Sequence, residues 1–344
     1  MRQLTLLIYL AILLPLFVAC GSARCIQRDH PVQPLPSFEL PTNIRVALVL
    51  GSGGVRGMAH VGVLEELIAA GIPIDLIVGC SAGSIVGALY ADTLSVEKTK
   101  RAVAELRTHS ILDISLLHCR FGLSQSKLLY RVLDQHLKAE QFKQLKVPLV
   151  IVASDLHTGE LVPLGGGDLV KAIQASCSIP FVFVPCKHLG RVLVDGGVIN
   201  PVPVQVARDL GAQLIIAVDL AELLPQTLPT NLFGVATRSA EIAFLWQNDE
   251  CTRQADIVIR PRTCDCGAFD DSKKWQIYEA GKNAAREQLP RIVQALASCR
   301  IGTHTGPQDC PSKEISARCH TPGIYRSDSG KKQGTAETSG TAGT

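Results

Sequence analysis

The sequence predicts an α/β fold, a three-layer sandwich with a mostly parallel central sheet flanked by helices. Three observations carry that expectation. Short, near-continuously apolar runs recur at 45–50 (RVALVL), 76–78 (LIV), 148–154 (PLVIVAS), 191–195 (RVLVD) and 213–219 (QLIIAVD), as expected of strands buried on both faces. Helical patterns separate them, with Val61, Leu64, Leu67 and Ile68 on one face and the small-residue stretch AGSIVGALYA beginning at Ala82. The first two runs each end in glycine-rich turns, where an α/β sheet collects its ligand site at the carboxyl ends of its strands.

The N-terminus, MRQLTLLIYLAILLPLFVACGS, has a positive charge at Arg2 and an apolar run from Leu4 to Ala19 broken by Pro15. Such a run is shorter than the ~20 residues a spanning helix needs, and its layout is that of a secretory signal over 1–19. The ending LPLFVAC resembles the lipobox of bacterial lipoproteins, which implies lipidation of Cys20. Gly21, in place of the Asp linked with inner-membrane retention, points to a cell-envelope protein tethered to the outer membrane. Residues 20–44, with Pro31, Pro34, Pro36 and Pro41, then form a linker; a folded domain is expected over 45–300 and a disordered tail over 301–344.

Composition narrows the function. A net charge of +3, from 34 Lys+Arg against 31 Asp+Glu, includes no basic block and argues against a nucleic-acid partner. Twelve cysteines suit an exported chain; with Cys20 lipidated, an odd number remains and at least one thiol stays unpaired. Cys264 and Cys266 are too close for a zinc knuckle and have no histidine cluster beside them, so no metal is assigned and no cofactor is expected. The sequence assigns no oligomeric state.

Gly79-Cys80-Ser81-Ala82-Gly83 fits G-x-S-x-G between a strand and a helix. In that turn the flanking glycines remove side chains that would clash, and the central residue is thrust out at a helix N-terminus. Centring the motif on Cys80 would place Val78 and Ala82 where glycines are needed, so Ser81 is the nucleophile candidate. Its base is the informative question. The histidines after Asp195 are His304 and His320, both in the tail, which leaves no triad of the order Ser, acid, His. Most of His60, His109, His118, His136 and His157 are expected at the surface or at caps. A carboxylate remains: Asp195 ends RVLVD before Gly196 and Gly197, and Asp155 and Asp219 hold similar strand-end positions.

The loop GSGGVRG, with Gly51, Gly53, Gly54 and Gly57, offers amides to an anion at a helix N-terminus. No Lys-Ser or Lys-Thr follows Gly57, against a P-loop; the next strand leads into the Ser81 turn rather than ending in an acid, against a dinucleotide site. An oxyanion hole beside Ser81 fits the same geometry, with Arg56 adding positive potential.

Together, GSGGVRG, GCSAG, ASCSIPFVF (175–183) and DGGVINPVPV (195–204) occur in the order that resembles the patatin-like phospholipase family, from about Arg45 to Leu296. The resemblance implies a Ser81–Asp195 dyad and an oxyanion hole from the amides around Gly53, Gly54, Val55 and Arg56. It further implies hydrolysis of acyl esters of phospholipids or lysophospholipids without a metal. Ser52 departs from the pattern, since many members have glycine there. A non-lipid esterase or thioesterase with the same dyad, and a catalytically silent envelope lipoprotein binding lipid or protein, stay open as alternatives.

Overall fold

The computed structural model describes residues 26, 30–37, 40–113, 121–222, 224, 226–263 and 270–301, all within one compact unit, 1–310. Cys20, the expected signal segment 1–19 and the tail beyond Ile301 lie outside the described residues.

Eight strands form one sheet: β1 (Val46–Leu50), β2 (Leu76–Cys80), β3 (Leu149–Asp155), β4 (Leu161–Leu164), β5 (Cys186–His188), β6 (Arg191–Asp195), β7 (Leu214–Val218) and β8 (Ile257–Ile259). The order is β5-β6-β3-β2-β1-β7-β8, with β4 also paired to β3. Pairings among β3, β2, β1, β7 and β8 are parallel, whereas β4, β5 and β6 pair antiparallel. All five apolar runs are therefore strands. RVLVD runs against the parallel set, a direction that an apolar run cannot encode.

Alternation along β1 shows why both faces are buried. Val46, Leu48 and Leu50 enter one apolar cluster, and Ala47 and Val49 enter another on the opposite face. The first face is covered by α1 (Met58–Ala69), α2 (Ala82–Thr93), α3 (Val96–Glu105), α4 (Lys127–His136), α5 (Leu169–Ser176) and the long α8 (Lys274–Ile301). The second is covered by α6 (Val204–Asp209) and by Cys251 of α7 (Leu232–Thr252). This is the expected three-layer sandwich, heavier on one side.

The described part of the Pro-rich stretch is extended and rests on the domain. Gln33 donates its N–H to the Leu189 carbonyl at 3.0 Å, and Leu35 packs against the core.

β3 fixes where the sheet's chemistry can gather. β2 pairs with Leu149–Val152 and β6 with Ala153–Asp155, while β4 overlaps both at Ile151–Ser154 and so takes the other edge of β3. β2 and β6 thus run toward each other along one edge. Their last residues, Cys80 and Asp195, pair with the neighbours Val152 and Ala153.

Helices α1 and α8 cross backbone to backbone through Gly62 and Gly281. A Cβ on Gly281 would lie 2.1 Å from the Ala59 carbonyl oxygen, and one on Gly62 would lie 2.2 Å from that of Tyr278. Neither neighbour is a flexible tip that can swing away. Gly281→Ala is therefore expected to lower unfolding stability by about 3 kcal/mol in a urea titration.

Candidate active site

Ser81 follows β2 with φ 51° and ψ −118°, a region an L-residue enters only when the surroundings hold it there. Its flanks explain the hold. A Cβ on Gly83 would lie 2.0 Å from the Leu50 carbonyl oxygen, and one on Gly79 would lie 2.7 Å from Cα of Ser84. Helix α2 can therefore start directly above the ends of β1 and β2 only with glycine at both places. The turn is pinned further by the Ser81 N–H, which donates to Oγ of Ser176 at 2.9 Å, and by Oγ of Ser84, which donates to the Ser81 carbonyl at 2.6 Å.

Asp195 arrives from the opposite direction. Its own N–H donates to the Ser178 carbonyl at 3.0 Å, and its carbonyl accepts from Oγ of Ser154, also at 3.0 Å. Its Oδ1 accepts the Gly197 N–H at 2.7 Å within the 3₁₀ turn Gly196–Val198. Oδ2 is buried with no hydrogen-bond partner in ordinary geometry among the described residues. Burial pushes the Asp195 pKa from 3.8 up to about 6, against the lowering effect of the nearby Ser81 hydroxyl and the Gly197 amide.

The other two strand-end carboxylates have structural partners. Asp155 pairs with Nη1 of Arg191 at 3.1 Å and accepts the His157 N–H at 2.9 Å. Asp219 pairs with Nε of Arg260 at 2.9 Å and also accepts from Asn248 and the Ala221 N–H. Both are already engaged in ion pairs and turn contacts. Asp195 forms no ion pair among the described residues, and it is the carboxylate brought to Ser81.

Cys80, one residue before the turn, is fully buried with its Sγ 4.0 Å from Oδ1 of Asp195. Burial, reinforced by the Asp195 charge, pushes its thiol well above the ordinary range, the reverse of an activated nucleophile. Cys177, on the other side, is raised by burial and again by Asp195. Cys80, Cys177, Cys186 and Cys251 are all free thiols.

The glycine loop leaves β1 and becomes a 3₁₀ turn over Gly54–Gly57, where Gly54 has φ 58°. Gly54 and Val55, which lead that turn, line the same cavity as Ser81. Arg56 is the exception in the expected set Gly53, Gly54, Val55 and Arg56. Its N–H donates to the Gly53 carbonyl at 3.2 Å, its Nε donates to the same oxygen at 3.1 Å, and Nη1 pairs with Glu222 at 3.6 Å. It braces the loop, and its amide is committed there. The Ser52 hydroxyl is buried close to Gly197 and Cys80, filling space that glycine would leave open.

Two groups escaped the sequence reading. His60, expected among surface or capping histidines, lies fully buried in α1, and its Nε2 hydrogen-bonds the Gly51 carbonyl at 2.8 Å. Burial lowers its pKa to about 4, so it is neutral and donates from Nε2 to hold the start of the glycine loop. Its position on the apolar face of α1, one residue before Val61, is the signal that was available. Ser176, which holds the Ser81 amide, lies in ASCSIPFVF without a spacing that marks its role.

An apolar cavity of about 80 Å³ opens at Ser81, lined by Gly54, Val55, Ile85, Val86, Leu129 and Phe183 among others. Among the described residues no cluster of His, Cys, Asp and Glu could hold a metal, and no helix is long and apolar enough to cross a membrane.

If burial sets the Asp195 pKa, Asp195→Asn removes a charge whose folded pKa lies above its unfolded value. The wild-type group favours folding below pH ~4 relative to pH above ~6, so the stability of the variant relative to wild type should rise as the pH is raised. From a shift between 3.8 and about 6, the pH-dependent difference between the two proteins should change by about 3 kcal/mol from pH 3 to pH 8. Urea titrations of both proteins across that range check this, and parallel stability curves would contradict it.

Residues 48–208 match the family model described as patatin-like phospholipase, so the chain carries a patatin-like domain. It is 31% identical over 277 residues to human patatin-like phospholipase domain-containing protein 6, an alignment covering 70% of this chain and 20% of that protein. An uncharacterized NTE family protein of Mycobacterium tuberculosis is 38% identical over 183 residues, covering 51% of this chain and 49% of the other. Among solved structures, VipD from Legionella pneumophila aligns with a TM-score of 0.49 at 12% identity, covering 80% of this chain and 72% of that one. The chain spans about a fifth of the length of the first curated relatives it matches.

Proposed function

We propose that this protein is a serine acyl hydrolase that cleaves carboxylic ester bonds of lipids through a Ser81–Asp195 dyad. One observation carries the proposal above the others. A serine held in a strained strand-to-helix turn lies beside a buried carboxylate with a pKa near 6, at the mouth of an apolar cavity.

The chemistry follows from that arrangement. Oγ of Ser81 attacks the ester carbonyl carbon while its proton passes to Oδ2 of Asp195, the carboxylate oxygen with no other partner. The carbonyl oxygen takes up the negative charge and is met by the amides of Gly54 and Val55 at the head of the glycine loop. Collapse breaks the bond to the alcohol, which leaves with the proton from Asp195. Water then gives a proton to Asp195 and attacks the acyl-Ser81 carbonyl; the acid is released and Ser81 recovers its proton. A base with a pKa near 6 is deprotonated at neutral pH yet more basic than an ordinary carboxylate, as the first step needs. The patatin-like domain and the apolar cavity favour lipid or lysolipid acyl groups over small polar esters.

The decisive measurement combines covalent labelling with turnover. A fluorophosphonate should label the wild type and Cys80→Ala but not Ser81→Ala. Ester hydrolysis should fall at least about 10³-fold in both Ser81→Ala and Asp195→Asn. Asp195→Asn retaining near wild-type turnover would remove the dyad, and an unlabelled, folded wild type would remove the enzyme.

Tethering through Cys20 belongs to the same reading. The lipobox-like LPLFVAC would place acyl chains on Cys20 and hold the domain at an envelope membrane, the phase that contains its substrate. Cys20→Ser should then move the protein from the membrane fraction to the soluble fraction, while unchanged fractionation would refute the tether.

A further inference from the structure

The apolar cavity at Ser81 is also lined by a charged group. Its walls include Ile85 and Val86 of α2, Val103 of α3, Leu129 of α4, and Leu106, Thr108 and Ile111 from the stretch between α3 and α4, and the one charged side chain lining it is that of Lys274. Lys274 is the first residue of α8 and is only 8% exposed. Its ammonium is anchored where α3 ends: Nζ donates to the carbonyls of Leu106, Ala104 (3.4 Å) and Val103 (3.5 Å) and pairs with Asp271 at 3.1 Å. A cation placed on the last carbonyls of a helix is favoured by both their lone pairs and the helix dipole.

Beyond the same side chain lies a second cavity of about 410 Å³, lined by Lys274 together with Ala104, Arg107, Asp271, Ser272 and Trp275. Lys274 therefore stands as a partition. On one side is an apolar channel at Ser81, and on the other a roomier, partly open space where Arg107, Asp271 and Ser272 stand beside Ala104 and Trp275.

Building on the proposed acyl hydrolysis, we propose that Lys274 is the stop that sets acyl-chain length. The acyl chain of the acyl-Ser81 intermediate runs into the channel, and its methyl end meets the Lys274 side chain. A longer chain would have to displace an ammonium from three carbonyls and a carboxylate. That step disfavours it, because the displaced charge loses its partners. The protein is thereby assigned to esters of short and medium acyl chains, with selectivity set at the end of the channel distal to Ser81.

The test uses the full chain and a series of p-nitrophenyl esters from butyrate through octanoate to palmitate. Lys274→Ala opens the partition, and the palmitate-to-octanoate ratio of kcat/KM should rise about tenfold over wild type. Fluorophosphonate labelling of Ser81 reports whether the variant is folded. Should Lys274→Ala fail to label, Ile111→Trp approaches the question from inside by narrowing the channel short of Lys274, and it should lower the octanoate-to-butyrate ratio about tenfold. A labelled Lys274→Ala with the wild-type ratio overturns the stop, as does an Ile111→Trp protein with an unchanged length profile. Hydrolysis that depends on Ser81 but ignores Lys274 leaves the acyl hydrolase standing and removes the length stop; no Ser81-dependent hydrolysis at any length removes both.

Discussion

The site depends on two strands meeting end to end along one edge of β3. Because β2 takes Leu149–Val152 and an antiparallel β6 takes Ala153–Asp155, the residues that close the two strands are neighbours. Ser81, one step past Cys80, and Asp195, the last residue of β6, are 114 positions apart in the chain and are brought together by register alone. A two-residue slip of β6 along β3 would move Asp195 by about 7 Å and separate the pair. The serines around the junction act as register pins: Ser176 on the Ser81 amide, Ser154 on the Asp195 carbonyl, and the Ser178 carbonyl on the Asp195 amide. Strain at Ser81, on the order of 1–3 kcal/mol, persists because these contacts over-determine the turn.

The same junction sets Asp195 apart from the other strand-end carboxylates. Asp155, Asp195 and Asp219 all stand at strand ends, and all are buried. Arg191 and Arg260 neutralise Asp155 and Asp219, and each of those carboxylates also caps a turn. Asp195 is surrounded by serine hydroxyls, thiols and one glycine amide, none of which carries a positive charge. Desolvation therefore wins there, and the carboxylate keeps the basicity that an adjacent arginine would remove. Cys80 and Cys177 suffer from the same negative neighbour, so the charge that suits Ser81 holds both thiols protonated.

What could be read from the sequence follows the range of the interactions. Strands β1, β2, β3, β6 and β7 are visible as apolar runs because each is buried on both faces, and the Ser81 turn is visible because both of its required glycines, one against Ser84 and one against the Leu50 carbonyl, fall within a five-residue motif. The direction of β6 is not visible, since burial is indifferent to polarity of the chain. Three equivalent strand-end aspartates could be ranked without the structure only through the family-like DGG, because the arginines that distinguish them lie 36 and 41 residues away. The role of His60 is hidden for a related reason: its place on the apolar face of α1 marks it as buried, but its partner, the Gly51 carbonyl, is a backbone atom across a turn that no side-chain pattern reveals. The commitment of the Arg56 amide to Gly53 is a detail of loop conformation, which glycine content permits and does not dictate.

His60 and Lys274 show how the heavier face of the sandwich serves the site from a distance. His60 projects from α1 beneath the glycine loop, neutral because it is buried, and fixes the carbonyl from which the loop departs. Lys274 reaches across from α8 to the last turn of α3 and lines the apolar space at Ser81. The contact between α1 and α8 through Gly62 and Gly281 ties the two helices that carry these residues into one layer. An error in that crossing would shift the loop's anchor and the channel's end together. The close helix contact is thus part of the site's geometry, although no atom of either glycine lines it.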